Sequence, residues 1–264
     1  THEDGLLQQT DRALDFLTHS TGMCITGGAG QWEIWTDDQD GRGALAETCA
    51  TSYQIRLLDS ILRLTGEARY GDLMERTIYN ALFAAQSPDG RQIRYYSPFE
   101  GSRAYHPGDT YCCPCNFRRI IAELPLMVYY RDDVGITVNL YTPSKADFSL
   151  PQGVNVSMRQ ETDYPNSGRV EIEVSPDEPT EFTLRLRIPA WCEAAHVSVN
   201  DGTRRPAPSG DFFAVRRRWQ AGDRLRLEMT TAWRFVRGTG RQSGRAAVMR
   251  GPLVFCLNPE QNAR

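Results

Sequence analysis

The sequence predicts a multi-domain α plus β chain: a helical part over residues 1–131 followed by an antiparallel β-sandwich over 132–264. Three observations carry that prediction. Apolar residues recur at helical spacing through the first half, composition changes at Tyr130-Arg131-Asp132-Asp133, and seven short segments of alternating polarity follow with no helix between them.

The elements follow in order. Leu6, Leu7, Ala13, Leu14 and Leu17 trace one helix, which stops before Ser20-Thr21-Gly22. The next block, Thr26-Gly27-Gly28-Ala29-Gly30, has glycines suited to a close backbone approach. It lacks the lysine of a P-loop and the spacing of a dinucleotide fingerprint, which argues against a phosphate cradle. Residues 31–42 are polar and aromatic, with Glu33, Asp37, Asp38 and Asp40, and read as an exposed loop that brings a carboxylate to a cleft. Tyr53, Leu57, Leu58, Ile61, Leu62 and Leu64 form the stripe of a helix ending at Thr65-Gly66. Tyr70, Leu73, Met74, Ile78, Leu82 and Phe83 form a second, closed by the turn chemistry of Ser87-Pro88-Asp89-Gly90. Together they predict an antiparallel helical hairpin. Residues 92–99 read as a short strand, and His106-Pro107-Gly108-Asp109 as a turn. Phe117, Ile120, Ile121, Leu124 and Met127 predict a third long helix, which Pro125 kinks. The strands are expected at 136–141, 154–160, 170–174, 182–188, 197–200, 212–217 and 225–228. Leu184-Arg185-Leu186-Arg187 reads as a strand with one wet face, and Arg216-Arg217-Arg218 as a solvated stretch.

A chain of 264 residues and 29.8 kDa buries a real core, and its 40% hydrophobic and 24% charged content are those of an ordinary globular protein. The net charge of −3 points neither to nucleic acid nor to an anionic membrane, and no apolar run is long enough to span a bilayer. Seven cysteines argue for a reducing compartment, with a cytoplasmic location expected. No signal peptide is read in the sequence; the chain starts at Thr1, without an initiator Met and inside a helical pattern, which suggests a fragment.

The chemistry centres on Tyr111-Cys112-Cys113-Pro114-Cys115-Asn116. Adjacent cysteines rarely bridge each other, because the ring is strained. Thiolates are instead soft ligands for zinc, and a complete site usually needs four donors. Glu47-Thr48-Cys49 supplies a carboxylate and a thiol that face the same way on extended backbone, so Glu47, Cys49, Cys112 and Cys113 make a Cys3Glu site for Zn2+. Cys115 is a spare thiol. A position at the start of the third helix favours thiolate over thiol. Cys24, Cys192 and Cys256, isolated among apolar neighbours, read as core residues. Trp32, Trp35, Tyr95 and Tyr111 are candidates for stacking on a sugar ring or for plain packing, and His106 for a hydrogen bond or no role.

Six blocks then amount to a resemblance. They are Thr26-Gly27-Gly28-Ala29-Gly30, Glu47-Thr48-Cys49-Ala50, Cys112-Cys113-Pro114-Cys115-Asn116, Leu186-Arg187-Ile188-Pro189-Ala190-Trp191, Trp219-Gln220-Ala221-Gly222-Asp223 and Arg250-Gly251-Pro252-Leu253-Val254-Phe255. In this order they resemble glycoside hydrolase family 127, the β-L-arabinofuranosidases. The resemblance implies the last helices of an (α/α)6 barrel followed by a β-sandwich, and retaining hydrolysis of β-linked L-arabinofuranosides or related sugars. It implies zinc ligands at Glu47, Cys49, Cys112 and Cys113, the nucleophile at Cys112 and the acid/base at Glu33, with Asp37 and Asp38 as fallbacks. The expected partner is a carbohydrate, with neither nucleic acid nor membrane. A second hypothesis, a non-catalytic carbohydrate-binding or scaffold module with a structural zinc site, separates from the first on whether Cys112 is required for hydrolysis.

Overall fold

A computed structural model describes residues 2–19, 22–36, 40–101 and 103–257. Asp37 and Asp38 lie outside the described residues. Helix α1 is His2–His19, α2 is Thr48–Thr65 and α3 is Ala68–Thr77. The last runs on through a π-turn at Ile78–Leu82 into the single turn α4, Phe83–Ala85, and α5 is Cys112–Glu123. Helix α2 stops at Gly66, whose left-handed backbone (φ 70°) returns its N–H to Leu62 at 2.8 Å. That turn folds α3 back on α2, as the hairpin pattern predicts. Leu14, Ile55, Leu58, Ile61, Leu62, Tyr70, Met74, Leu82, Phe117 and Ile120 make the helical core. Tyr53, Leu64 and Phe83, placed on the buried stripes from sequence, are exposed. Two of them keep side-chain neighbours nonetheless, Tyr53 under the Arg56 guanidinium and Phe83 edge-on to Tyr79.

Three other expectations change. The third helix does not kink at Pro125: α5 ends at Glu123, and Leu124–Met127 continue as a 3-10 turn with the proline in its first positions. The missing proline N–H and the crowding of the preceding residue end the α-helical ladder there. Residues 92–99 form no strand, only single bridges from Ile93 to Gln86 and from Arg94 to Tyr105. Cys256 is exposed, while Cys24 and Cys192 are buried as expected.

Thirteen strands follow among the described residues. They are β1 (Tyr129–Arg131), β2 (Gly135–Val138), β3 (Ser144–Ser149), β4 (Asn155–Thr162), β5 (Arg169–Pro176), β6 (Thr180–Ile188), β7 (Ala195–Val199), β8 (Arg205–Ala207), β9 (Asp211–Trp219), β10 (Asp223–Met229), β11 (Trp233–Arg237), β12 (Ala246–Arg250) and β13 (Leu253–Phe255). One sheet runs β1-β2-β6-β9 and a second β3-β4-β5-β10-β7-β8. Their facing residues, including Ile136, Leu184 and Leu186 from the first and Met158, Ile172 and Leu227 from the second, share one core. All seven expected strands are present, but β2 pairs with β6 in parallel, so the sandwich is not wholly antiparallel. β11-β12-β13 form a separate small sheet. Among the described residues no helix is long and apolar enough to cross a membrane.

The wet-face reading of β6 fails at Arg187, which is 0% exposed. Its guanidinium pairs with Asp72 and, at 2.7 Å, with Glu75 of α3, and its Nε donates to the Asn139 carbonyl at 2.7 Å. Trp191 Nε1 and Tyr164 Oη also donate to Glu75, and the Ala190 N–H to Asp72. Burial opposes the charge of Arg187, but the two carboxylates outweigh it and raise its pKa. A Cβ on Gly71 would lie 2.5 Å from Arg187 Cδ, so glycine is what lets α3 approach β6. A second clasp uses the π-turn, where Asn80 bonds the Pro252 carbonyl and the Val254 N–H at 2.9 and 2.7 Å. Both blocks around Arg187 and Pro252 are thus seams between helices and strands.

Candidate functional site

The glycine block places the site. Gly30 (φ 86°) lies where a Cβ would meet Ala50 Cβ at 2.5 Å, and Gly27 (φ 84°) where it would meet Thr77 Oγ1 at 2.6 Å. Only a residue without a side chain brings this loop against α2 and α3. The Gly30 carbonyl accepts from the Glu47 N–H at 3.4 Å, and the Thr48 N–H and hydroxyl bond the carbonyls of Tyr95 and Arg94 at 3.0 and 2.7 Å. The start of α2 is therefore held on both sides.

Glu47 caps α2 in extended conformation (φ −64°, ψ 132°), and Cys49 sits in the helix's first turn. The extended segment expected through both residues is thus half cap and half helix: Cys49 joins the thiol cluster, whereas the Glu47 carboxylate lies outside the group whose ligand atoms are all mutually within 4.8 Å and approaches it through Cys113. Cys112 and Cys113 open α5, so the cluster occupies a helix N-terminus as the sequence predicts. The Sγ atoms of Cys49, Cys112 and Cys113 all lie within 4.8 Å of one another, with Cys113 to Cys49 at 3.1 Å. Glu47 Oε1 is 3.9 Å from Cys113 Sγ. Cys115, two residues on, is outside this group and uses its N–H on the Tyr111 carbonyl at 3.0 Å.

The donor set suits a soft divalent ion. Zinc bonds of ~2.3 Å at tetrahedral angles put sulfurs roughly 3.8 Å apart; the three Sγ atoms here lie within 4.8 Å of one another, with Cys49 and Cys113 closer, at 3.1 Å. Glu47 is fully buried, and the contacts of its carboxylate among the described residues are the Glu33 N–H and the Cys113 thiol. Burial pushes the Glu47 carboxyl up, partly offset by the Glu33 N–H, and pushes the thiols of Cys49 and Cys113 up as well. A cation is the counter-charge such a group lacks.

Two supporting groups escape a reading of the sequence. Asn116 Nδ2 donates to Cys49 Sγ at 3.3 Å, and Tyr95 Oη lies 2.8 Å from Cys112 Sγ. Asn116 had a signal, since it falls one helical turn after Cys112 and Cys113. Tyr95 had none beyond being aromatic. Around it the rings of Trp32, Tyr96, Tyr95, His106 and Tyr111 run as a chain, with successive centroids 5.7, 4.8, 5.7 and 5.7 Å apart. His106 is a stacked ring in that chain.

Glu33 sits at the tip of a two-residue turn closed by paired N–H···O bonds between Gln31 and Ile34 of 2.8 and 3.0 Å. Trp32 (φ 53°) and Glu33 (φ 61°) are both left-handed, conformations that ordinarily select Asn or Gly. The Glu33 N–H donates to Glu47 Oε2 at 2.7 Å, so the turn is anchored on the carboxylate of the cluster. The Glu33 side chain itself is exposed.

Residues 1–126 match the model of the GH127 β-L-arabinofuranosidase catalytic domain, and 135–231 that of the GH127 middle domain. The chain is 30% identical over 269 residues to the non-reducing end β-L-arabinofuranosidase of Bifidobacterium longum subsp. longum, covering 91% of this chain and 40% of that protein. It resembles the crystal structure of a GH127 β-L-arabinofuranosidase from Geobacillus stearothermophilus T6 with a TM-score of 0.84 at 30% identity, covering 94% of this chain and 42% of that one. A solved GH127 β-arabinofuranosidase gives 0.80 at 28% identity, covering 91% and 42%. The chain thus spans about two fifths of the length of these relatives.

Proposed function

Because the chain belongs to the β-L-arabinofuranosidase family GH127, we propose that it carries the zinc-thiolate part of a retaining glycosidase that releases β-L-arabinofuranose or a related sugar. The helices would be the last part of an (α/α)6 barrel over residues 1–131, with the strands of 132–264 as a second domain.

The observation that carries the reading is the unequal exposure of the three clustered thiols. Cys49 and Cys113 are buried, whereas Cys112 is half-exposed and has the Tyr95 hydroxyl at 2.8 Å. Cys112 is thus the sulfur open to a sugar, and the other two are suited to holding a metal. A zinc ion held by Glu47, Cys49, Cys112 and Cys113 supplies, when bound, the positive charge that keeps these thiols ionised at neutral pH.

In this reading Cys112 Sγ attacks the anomeric carbon. A C–S bond forms as the glycosidic C–O bond breaks, and the leaving oxygen takes the bond's electron pair and the proton of the Glu33 carboxyl. Water then gives a proton to the Glu33 carboxylate while its oxygen attacks the same carbon. The C–S bond breaks, the thiolate returns, and two inversions leave the configuration retained. Tyr95 Oη orients the sulfur. Support for Glu33 is the tether of its N–H to Glu47, which ties the acid's turn to the thiol cluster.

Native mass spectrometry tests this, with zinc quantified before and after incubation with an arabinofuranosyl alkylating probe. One zinc per chain and an adduct mapped to Cys112, lost in Cys112→Ser, is the expected result. Zinc without an adduct points to the structural-site alternative, and no zinc removes the basis of both.

A further inference from the structure

We propose that Trp32 is the stacking platform for the leaving group, and that the leaving group it takes is a sugar ring. The inference rests on the glycosidase reading above, and its starting point is that Trp32 is a poor residue for the place it occupies. It holds φ 53° at the first central position of the Gln31–Ile34 turn, and 68% of its surface is exposed. A left-handed tryptophan is strained where Asn or Gly is not, and an exposed indole gains little from burial. Neither the turn nor the core accounts for it. Conformations that work against stability and persist gather at functional sites.

Its neighbours indicate which function. Glu33, the next residue on the same turn, is the group that protonates the departing oxygen. The acid must stand on the side from which the leaving group departs, so the residue beside it borders that group. The turn cannot swing freely, because the Glu33 N–H is held on Glu47 Oε2 at 2.7 Å. Among the described residues the ring neighbour of Trp32 is Tyr96, at 5.7 Å and a tilt of 58°. Tyr96 in turn contacts Tyr95 at 4.8 Å, and Tyr95 reaches Cys112 Sγ. An open indole two ring contacts from Tyr95, the residue that reaches Cys112, presents an apolar face of the size of a furanose or pyranose ring, whose C–H groups on one face pack on aromatic carbon.

Two substrates that share the arabinofuranosyl group separate the idea from a general effect: the methyl β-L-arabinofuranoside, which loses methanol, and a β-L-arabinofuranosyl disaccharide, which loses a sugar. In Trp32→Ala the kcat/KM for the disaccharide falls about 3- to 10-fold while the methyl glycoside stays within about twofold, and Trp32→Phe recovers most of the loss. Trp32→Asn keeps or raises the melting temperature, so the loss is not unfolding. Equal losses on both substrates, or no loss on the disaccharide, overturn the proposal. Failure of the glycosidase reading shows separately as a missing Cys112 adduct. Calorimetric titration with the disaccharide then decides: binding weakened about threefold or more in Trp32→Ala supports the platform, and equal affinity, or no binding by the parent chain, overturns it.

Discussion

The amide of Glu33 donates to Glu47 Oε2 at 2.7 Å, so one buried carboxylate serves both the thiol cluster and the turn that bears the expected acid. Its other oxygen faces Cys113 at 3.9 Å. The turn that bears Glu33 and the thiol cluster are therefore linked through a single side chain. Glu47→Gln keeps the shape and an acceptor oxygen but removes the charge. It is expected to lose bound zinc while leaving the melting temperature of the zinc-free protein within a few degrees, measured by metal analysis and calorimetry on chelator-treated samples. Retention of a full zinc equivalent by Glu47→Gln would remove Glu47 from the ligand set.

Gly30→Ala tests how the loop reaches α2. The new methyl meets Ala50 Cβ at 2.5 Å on a backbone at φ 86°, so both contact and conformation oppose it. A loss of about 2 kcal/mol or more is expected in urea unfolding, larger than the ordinary penalty for alanine at positive φ alone. Since Gly30 also receives the Glu47 N–H, zinc affinity should fall in the same variant.

The Arg187 clasp predicts an asymmetry. Arg187→Met leaves Asp72 and Glu75 facing each other without a counter-charge, a change of about 3–5 kcal/mol for a buried pair. Adding Glu75→Gln and Asp72→Asn removes that charge and should recover part of the loss, read by denaturant titration of the single and triple variants. A triple variant less stable than Arg187→Met by the full sum of the parts would show that charge is not the reason.

A pH dependence follows from Arg56 and Glu123, which tie α2 to α5 through a bidentate pair at 2.7 and 2.9 Å. The hydrogen bond from Arg56 holds the Glu123 carboxyl below its usual value of 4.5. A carboxyl whose folded pKa is depressed contributes stability above its unfolded pKa and loses it as pH falls through the folded value. The pair is partly solvated, so its contribution is about half a kcal/mol. The stability gap between the parent and Glu123→Gln should be constant from pH 7 to about 5 and close below about 4.5. A gap that widens on acidification would reverse the sign.

Tyr95→Phe deletes one hydroxyl beside Cys112 and little else. A fall of about 10-fold in the rate of Cys112 alkylation by the arabinofuranosyl probe is expected, with the melting temperature nearly unchanged. An unchanged alkylation rate would leave Tyr95 as packing.

Much of this protein could be read directly from residue order. Helical and alternating periodicities marked α2, α3, α5 and all seven expected strands, because burial of one face imposes a repeat that composition displays. The thiol cluster was legible for a chemical reason: few roles other than metal binding suit two adjacent cysteines. What the periodicities did not carry was anything that depends on which element stands opposite. Arg187 alternates like a solvent-facing residue, and only the arrival of Asp72 and Glu75 from α3 makes its burial tolerable. Tyr95 is one aromatic among many until α5 places Cys112 against its hydroxyl. Local spacing determines which face of an element is apolar, whereas the partner of a buried charge, a thiol or a turn is chosen by contacts between residues far apart in the chain.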